Sequence, residues 1–370
     1  MTIAIALLIA SIIPVGFLIL VRRIDKYQAE NFNLIIVAGG WGVFAYIIAA
    51  QINPAMIDAG IINYDNMVRF SAPILEEILK AIILLFLVRQ VNFTYFVDGA
   101  IFGFAAGIGF AIIENVEYVT GNPETALIQA IGRVLSTNLM HATGSGIIGV
   151  TLGLSRFDRT GRKALSVLTG VTLSMILHVA FNNLVTRVSS GLLLIYAIGV
   201  GFTGAGFIAY MVKRGFKNEE AEIKDRLKKE KGITEQEATA VEKVDQMKQY
   251  LAPIAEKFGH KKAEQAKVFL LKQAKISRVR KNLTSYTELG DEKMIRATEN
   301  QIKTLQEEVD ELRRDVGTYC MLFLRNTFMQ ETSPLWGRLE SLIEEQAMAP
   351  KNPNGPSLWG SLNTKIKPEK

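Results

Sequence analysis

Seven stretches of the chain are apolar over about the 20 residues that a helix needs to cross a bilayer. They fall at about 2–21, 32–50, 70–88, 96–119, 134–154, 165–185 and 190–212. Beyond residue 216 the period changes. Ile295, Ile302, Leu305, Val309, Leu312, Val316 and Tyr319 follow one another at steps of seven, three and four, which makes a heptad seam on one helical face. A second amphipathic stretch, about 253–285, is placed to fold against the seam as a self-contained antiparallel hairpin. From Pro350 onward, Pro, Asn, Gly and Ser predict disorder. The expected class is therefore all-α: a polytopic transmembrane helix bundle of about seven spans in 1–212, a soluble helical or coiled-coil tail in 213–349, and a disordered end in 350–370.

Charge divides the chain at the same place. Only 23 of the first 212 residues are charged, against 55 of the remaining 158. One charge in nine does not keep a soluble surface wet, so the first part belongs in a membrane. The loops alternate. Arg22, Arg23 and Lys26, then Arg89, then Arg156, Arg159, Arg162 and Lys163, then Lys213, Arg214 and Lys217 mark one side. The positive-inside rule makes that side cytoplasmic, with the N-terminus outside and the tail inside the cell. Arg69 and Arg133 run against this pattern, on the outer side. The single cysteine, Cys320, excludes an internal disulfide framework and a cysteine zinc site. The net charge of +6, without a long basic run, gives no reason to expect nucleic acid as a partner.

Within the apolar stretches lie groups that do not belong in hydrocarbon. The third span carries Glu76, Glu77 and Lys80, and the fourth ends on Glu114, Asn115 and Glu117. The fifth holds Asn138 and His141, and the sixth His178, Asn182 and Asn183. Each charge at mid-membrane costs about 2.5–3.5 kcal/mol, too much to leave without partners. Helical rise sets their depth: at 1.5 Å per residue, Glu76, Glu114, His141 and His178 lie about 8–10 Å below the outer end of their own spans. Four polar positions on four helices thus share one layer. Lys80 is i+4 from Glu76 and i+3 from Glu77, within reach of either carboxylate. Glu117 and His260 read as solvated, and Asn115, Asn138 and Asn183 equally well as interhelical glue. Gly99, Gly103, Gly107, Gly144, Gly146, Gly149 and Gly153 mark close helix packing around the fourth and fifth spans.

Carboxylates and imidazoles in one layer fit water activation. A Glu and two His are able to bind zinc while another Glu serves as general base. A metal-free site with a Glu base, an orienting His and Asn182 as oxyanion donor fits equally. The same buried carboxylates suit a proton- or ion-coupled transporter, although no pair of segments reads as an inverted repeat with broken helices. A non-catalytic scaffold, working through its tail, is a third reading.

Glu76-Glu77-Ile78-Leu79-Lys80 resembles the EExxK pattern of the PrsW family of intramembrane proteases. Phe110-Ala111-Ile112-Ile113-Glu114 matches its FxxxE, His178-Val179-Ala180-Phe181-Asn182 its terminal HxxxD/N, and His141 its remaining histidine. The resemblance covers about 30–212. CAAX prenyl endopeptidases and Abi-type proteins, which share the paired glutamates, typically carry FxxxH where this chain has Glu114. The resemblance implies an intramembrane endopeptidase that cuts membrane-anchored proteins near the outer face, as in the first cut of a membrane-bound anti-sigma factor. It makes Glu76 or Glu77 the base and Glu114, His141 and His178 zinc ligands or water-orienting groups, with Lys80 and Asn182 in support. It leaves both zinc and a metal-free glutamate mechanism open. The expected partners are a membrane-protein substrate, the lipid bilayer and a protein or second copy bound through the tail.

Overall fold

A computed structural model describes residues 2–24, 32–93, 95–185, 247–327 and most of 195–215, and every regular element among them is helical. α1 (Thr2–Ile24) and α2 (Phe32–Asp58) come first. The short turn α3 (Tyr64–Asn66) and a π-helical turn (Met67–Ser71) then lead into α4 (Ala72–Leu87). α5 (Phe96–Gly121), α6 (Ala126–Leu135), α7 (Thr137–Leu154) and α8 (Thr160–Val185) follow. Residues 2–20 of α1, and α2, α5 and α8, are long and apolar enough to cross a bilayer. This is an all-α membrane bundle.

Three expected spans need comment. The third is realised as α4, whose 16 residues are extended at the N-terminal end by the π-helical turn. The fifth, expected as one helix over 134–154, is divided at Ser136, where ψ of −81° ends α6 and opens α7. Ser136 Oγ turns back to donate to the Gly132 carbonyl at 2.6 Å. α6 hid from the apolar count because it is short and two-faced: Ala126, Ala130 and Val134 are buried, while Leu127, Ile128 and Ile131 are exposed. The seventh, 190–212, lies partly outside the described residues, and those described between 195 and 215 are helical.

α5 is the central helix, buried almost continuously from Phe96 to Ala111. It lies against α7 so closely that side chains are excluded. A Cβ on Gly99 would stand 2.1 Å from the Gly149 carbonyl oxygen, and one on Gly107 would stand 2.4 Å from that of His141. Two backbones in contact fix the separation of Glu114 and His141, one on each helix.

The tail comprises α9 (Met247–Phe258), α10 (His260–Leu289), α11 (Glu292–Val316) and α12 (Thr318–Thr327). Gly290, at φ +69°, ends α10, and the Asp291 side chain caps α11 by accepting from the Met294 N–H at 3.1 Å. The expected hairpin forms, with Ile302, Leu305, Val309 and Val316 of the seam buried. The seam ends earlier than its spacing suggested. Gly317, at φ +87°, breaks the helix, and Tyr319 lies exposed on α12.

The tail is not detached from the membrane helices. Arg156, between α7 and α8, is buried among the rings of Phe93, Phe157 and Tyr286. Its Nη2 donates to the Gln90 carbonyl at 3.0 Å and to the Tyr286 hydroxyl on α10. Burial pushes the Arg156 guanidinium down and the Tyr286 hydroxyl up from their ordinary pKa values. Gln301 on α11 donates to Asn92 Oδ1 at 2.6 Å. The end 350–370 lies outside the described residues.

Candidate active site

α4 begins at the π-helical turn, with Pro73 in its first turn, where an N–H is not needed. It then turns Glu76, Glu77 and Lys80 into the bundle. Glu77 and Lys80 are fully buried and pair at 2.5 Å. Glu77 Oε1 also accepts from His178 Nδ1 at 2.9 Å, and its Oε2 accepts from Ser174 Oγ at 2.5 Å. Lys80 Nζ donates to His141 Nδ1 at 2.9 Å. His141 Nε2 faces Glu114 Oε2 at 2.9 Å, and the two imidazole rings meet edge to face, 4.7 Å apart. Residues up to 101 positions apart in the chain, on α4, α5, α7 and α8, thus make one connected network.

The partners assign the imidazole tautomers. An ammonium group has no lone pair, so Nδ1 of His141 accepts from Lys80 and Nε2 carries the proton toward Glu114. His178 donates from Nδ1 to Glu77, which leaves the lone pair of its Nε2 directed at the remaining carboxylate. That carboxylate is Glu76. Its Oε2 lies 3.8 Å from His178 Nε2 and, although buried, has no hydrogen-bond partner among the described residues. Two acceptors held apart in this way leave room for a proton donor such as water, or a cation, between them.

Glu76, His141 and His178 each offer a donor atom, all within 4.8 Å of one another. Two imidazoles and a carboxylate are the ligand set of zinc metalloproteases. Glu76 and His178 present free lone pairs, and His141 would give up its bond from Lys80 to present a third. With that one exchange the residues fit a zinc ion. The expected set had Glu114 where this group has Glu76. Glu114 Oε2 is engaged by His141 and by Arg133, whose Nη2 lies 2.8 Å away.

Asn182, expected as an oxyanion donor, donates to the Val68 carbonyl at 2.9 Å and so ties α8 to the π-helical turn. Asn183 does the same to the carbonyls of Arg69, at 3.3 Å, and Val179, at 2.9 Å. Glu117 and His260 are exposed. Two further residues hold the site, and the sequence does not single them out. Ser174 lies one helical turn before His178, a spacing that predicts a shared face. Arg133 reads from sequence only as a charge on the outer side, and no spacing points it at Glu114.

Residues 30–212 match the model of the PrsW family intramembrane metalloprotease. The segment is similar to this family. Among similar proteins, Protease PrsW of Geobacillus kaustophilus is 30% identical over 136 residues, which cover 36% of this chain and 59% of that protein. Protease PrsW of Bacillus subtilis is 26% identical over 174 residues, covering 45% and 76%. Protease PrsW of Halalkalibacterium halodurans is 37% identical over 105 residues, covering 28% and 46%. The chain thus spans 59% of the length of the Geobacillus relative and 46% of the Halalkalibacterium one. No solved structure matches it. The PrsW segment contains every member of the network from Glu76 to His178, whereas α1 and the tail lie outside it.

Proposed function

We propose that the chain is an intramembrane endopeptidase that hydrolyses a peptide bond of membrane-anchored proteins close to the extracytoplasmic face. The observation that supports this best is the Glu76 carboxylate, buried, unpartnered among the described residues and facing the His178 lone pair. A water held between them has its proton directed at Glu76 Oε2 and its oxygen free to attack a carbonyl carbon. The proton taken by Glu76 passes to the leaving nitrogen as the C–N bond breaks. Glu77 is the poorer base, because Lys80, His178 and Ser174 already occupy its oxygens. It holds the His178 ring instead. Where zinc is bound, Glu76, His141 and His178 would hold it, and the ion would supply Lewis acidity to the water and the carbonyl.

The basic loops favour an outside N-terminus and a cytoplasmic tail, which puts the network about 8–10 Å below the outer surface. A substrate that reaches this depth is itself anchored in the membrane. The PrsW match favours hydrolysis over ion transport or a purely scaffolding role.

New protein N-termini in membranes of cells with the wild-type chain or Glu76→Gln, at matched expression, test the proposal. Termini unique to the wild type, in outer segments beside a membrane span, are expected. Identical profiles would overturn it.

A further inference from the structure

Arg133 stands on α6, apart from the four helices that carry the network, yet it grips one turn of α5. Its Nη2 pairs with Glu114 Oε2 at 2.8 Å, its Nε donates to Asn115 Oδ1 at 3.0 Å, and its guanidinium lies 3.7 Å from the Tyr118 ring centroid. Positions 114, 115 and 118 are neighbours on a helix surface, so one planar group touches them all. The Glu114 oxygen that Arg133 holds is the one facing His141 Nε2. Without Arg133, a largely buried carboxylate would retain only a neutral imidazole for a partner. It would then compete for Lys80, which now donates to the other nitrogen of the same ring.

We infer that Arg133 is a positioning residue of the site: it holds Glu114 so that His141 keeps its proton on Nε2 and its Nδ1 lone pair toward the interior of the network. α6 itself is seated by α1. Ala126 and Ala130 pack with Ala6, Ala10 and Val119 in a small cluster separate from the main core. The placement of Arg133 therefore depends on a helix outside the PrsW segment.

The catalytic consequence rests on the endopeptidase reading, but the positional one does not. The chain has only three histidines, so nitrogen-15 labelling of histidine in the full-length purified protein, freed of metal by a chelator, gives three imidazoles to resolve. Wild type should show one ring, lost in His141→Asn, with a protonated Nε2 and a bare Nδ1. Arg133→Met, and Arg133→Gln should the first not fold, should abolish that pattern at unchanged pH. Arg133→Lys should restore it in part. Cleavage by Arg133→Met should fall about 10- to 100-fold, mostly in kcat rather than KM. An unchanged His141 signature in both neutral variants, with cleavage within twofold of wild type, would overturn the inference. If wild type cuts no more than Glu76→Gln, the endopeptidase reading fails, and the imidazole signature still decides the role of Arg133.

Discussion

Glu76 Oε2 stands 3.8 Å from His178 Nε2 and has no hydrogen-bond partner among the described residues, while the adjacent Glu77 has both oxygens engaged. Neighbours in sequence, the two carboxylates have opposite environments: one is free to exchange a proton and the other is locked into the framework.

Their amide variants should therefore differ. Glu76→Gln should fold normally and lose about 10²–10⁴-fold in cleavage rate, the range for removal of a general base. Glu77→Gln strands the fully buried Lys80 and should destabilise the bundle by about 3–5 kcal/mol. Thermal unfolding in detergent separates the cases, and equal midpoints for the two variants would contradict the division of roles.

Metal content gives a second test. The purified chain should carry about one zinc ion, and His178→Ala or Glu76→Ala should lose it. Elemental analysis reads this without an activity assay. Wild type free of metal that still cleaves would leave the glutamate base to act with water alone.

The α5–α7 contact should tolerate no side chain at Gly107, because a Cβ there would stand 2.4 Å from the carbonyl of His141. Gly107→Val forces the helices apart at the level of the network. It should destabilise by about 1–3 kcal/mol and abolish cleavage, whereas Gly121→Ala, with open space around it, should leave both unchanged.

Tail docking turns on Arg156 and Tyr286. Tyr286→Ala removes a buried ring and the hydroxyl that accepts from Arg156, a loss of about 3–5 kcal/mol by analogy with other buried aromatic truncations. Limited proteolysis should then release the tail while the membrane helices stay intact. A tail as resistant as that of wild type would show that other contacts hold it.

Much of this molecule was legible in its sequence because two one-dimensional signals are strong. A bilayer enforces long apolar runs, and helical rise converts position in a run into depth. Those rules located the bundle, the hairpin and the layer shared by Glu76, Glu114, His141 and His178. They failed at α6, whose ten residues obey neither a membrane-length nor a heptad pattern, and at Tyr319, where Gly317 ends the helix before the repeat is complete.

Depth does not give direction, and direction is what tertiary structure decided. Paired glutamates one residue apart point about 100° from each other around a helix, so which of them meets Lys80 and Ser174 and which is left bare depends on neighbours from other helices. The same holds for Arg133, an outer-side charge by sequence and a partner of Glu114 by geometry. The amino-acid sequence by itself determined which polar groups lie within apolar helices and how far along each helix they fall. Only the packing of α4, α5, α6, α7 and α8 decided which of them touch, because contact depends on rotation about each helix axis, and that is set by side chains far away in the chain.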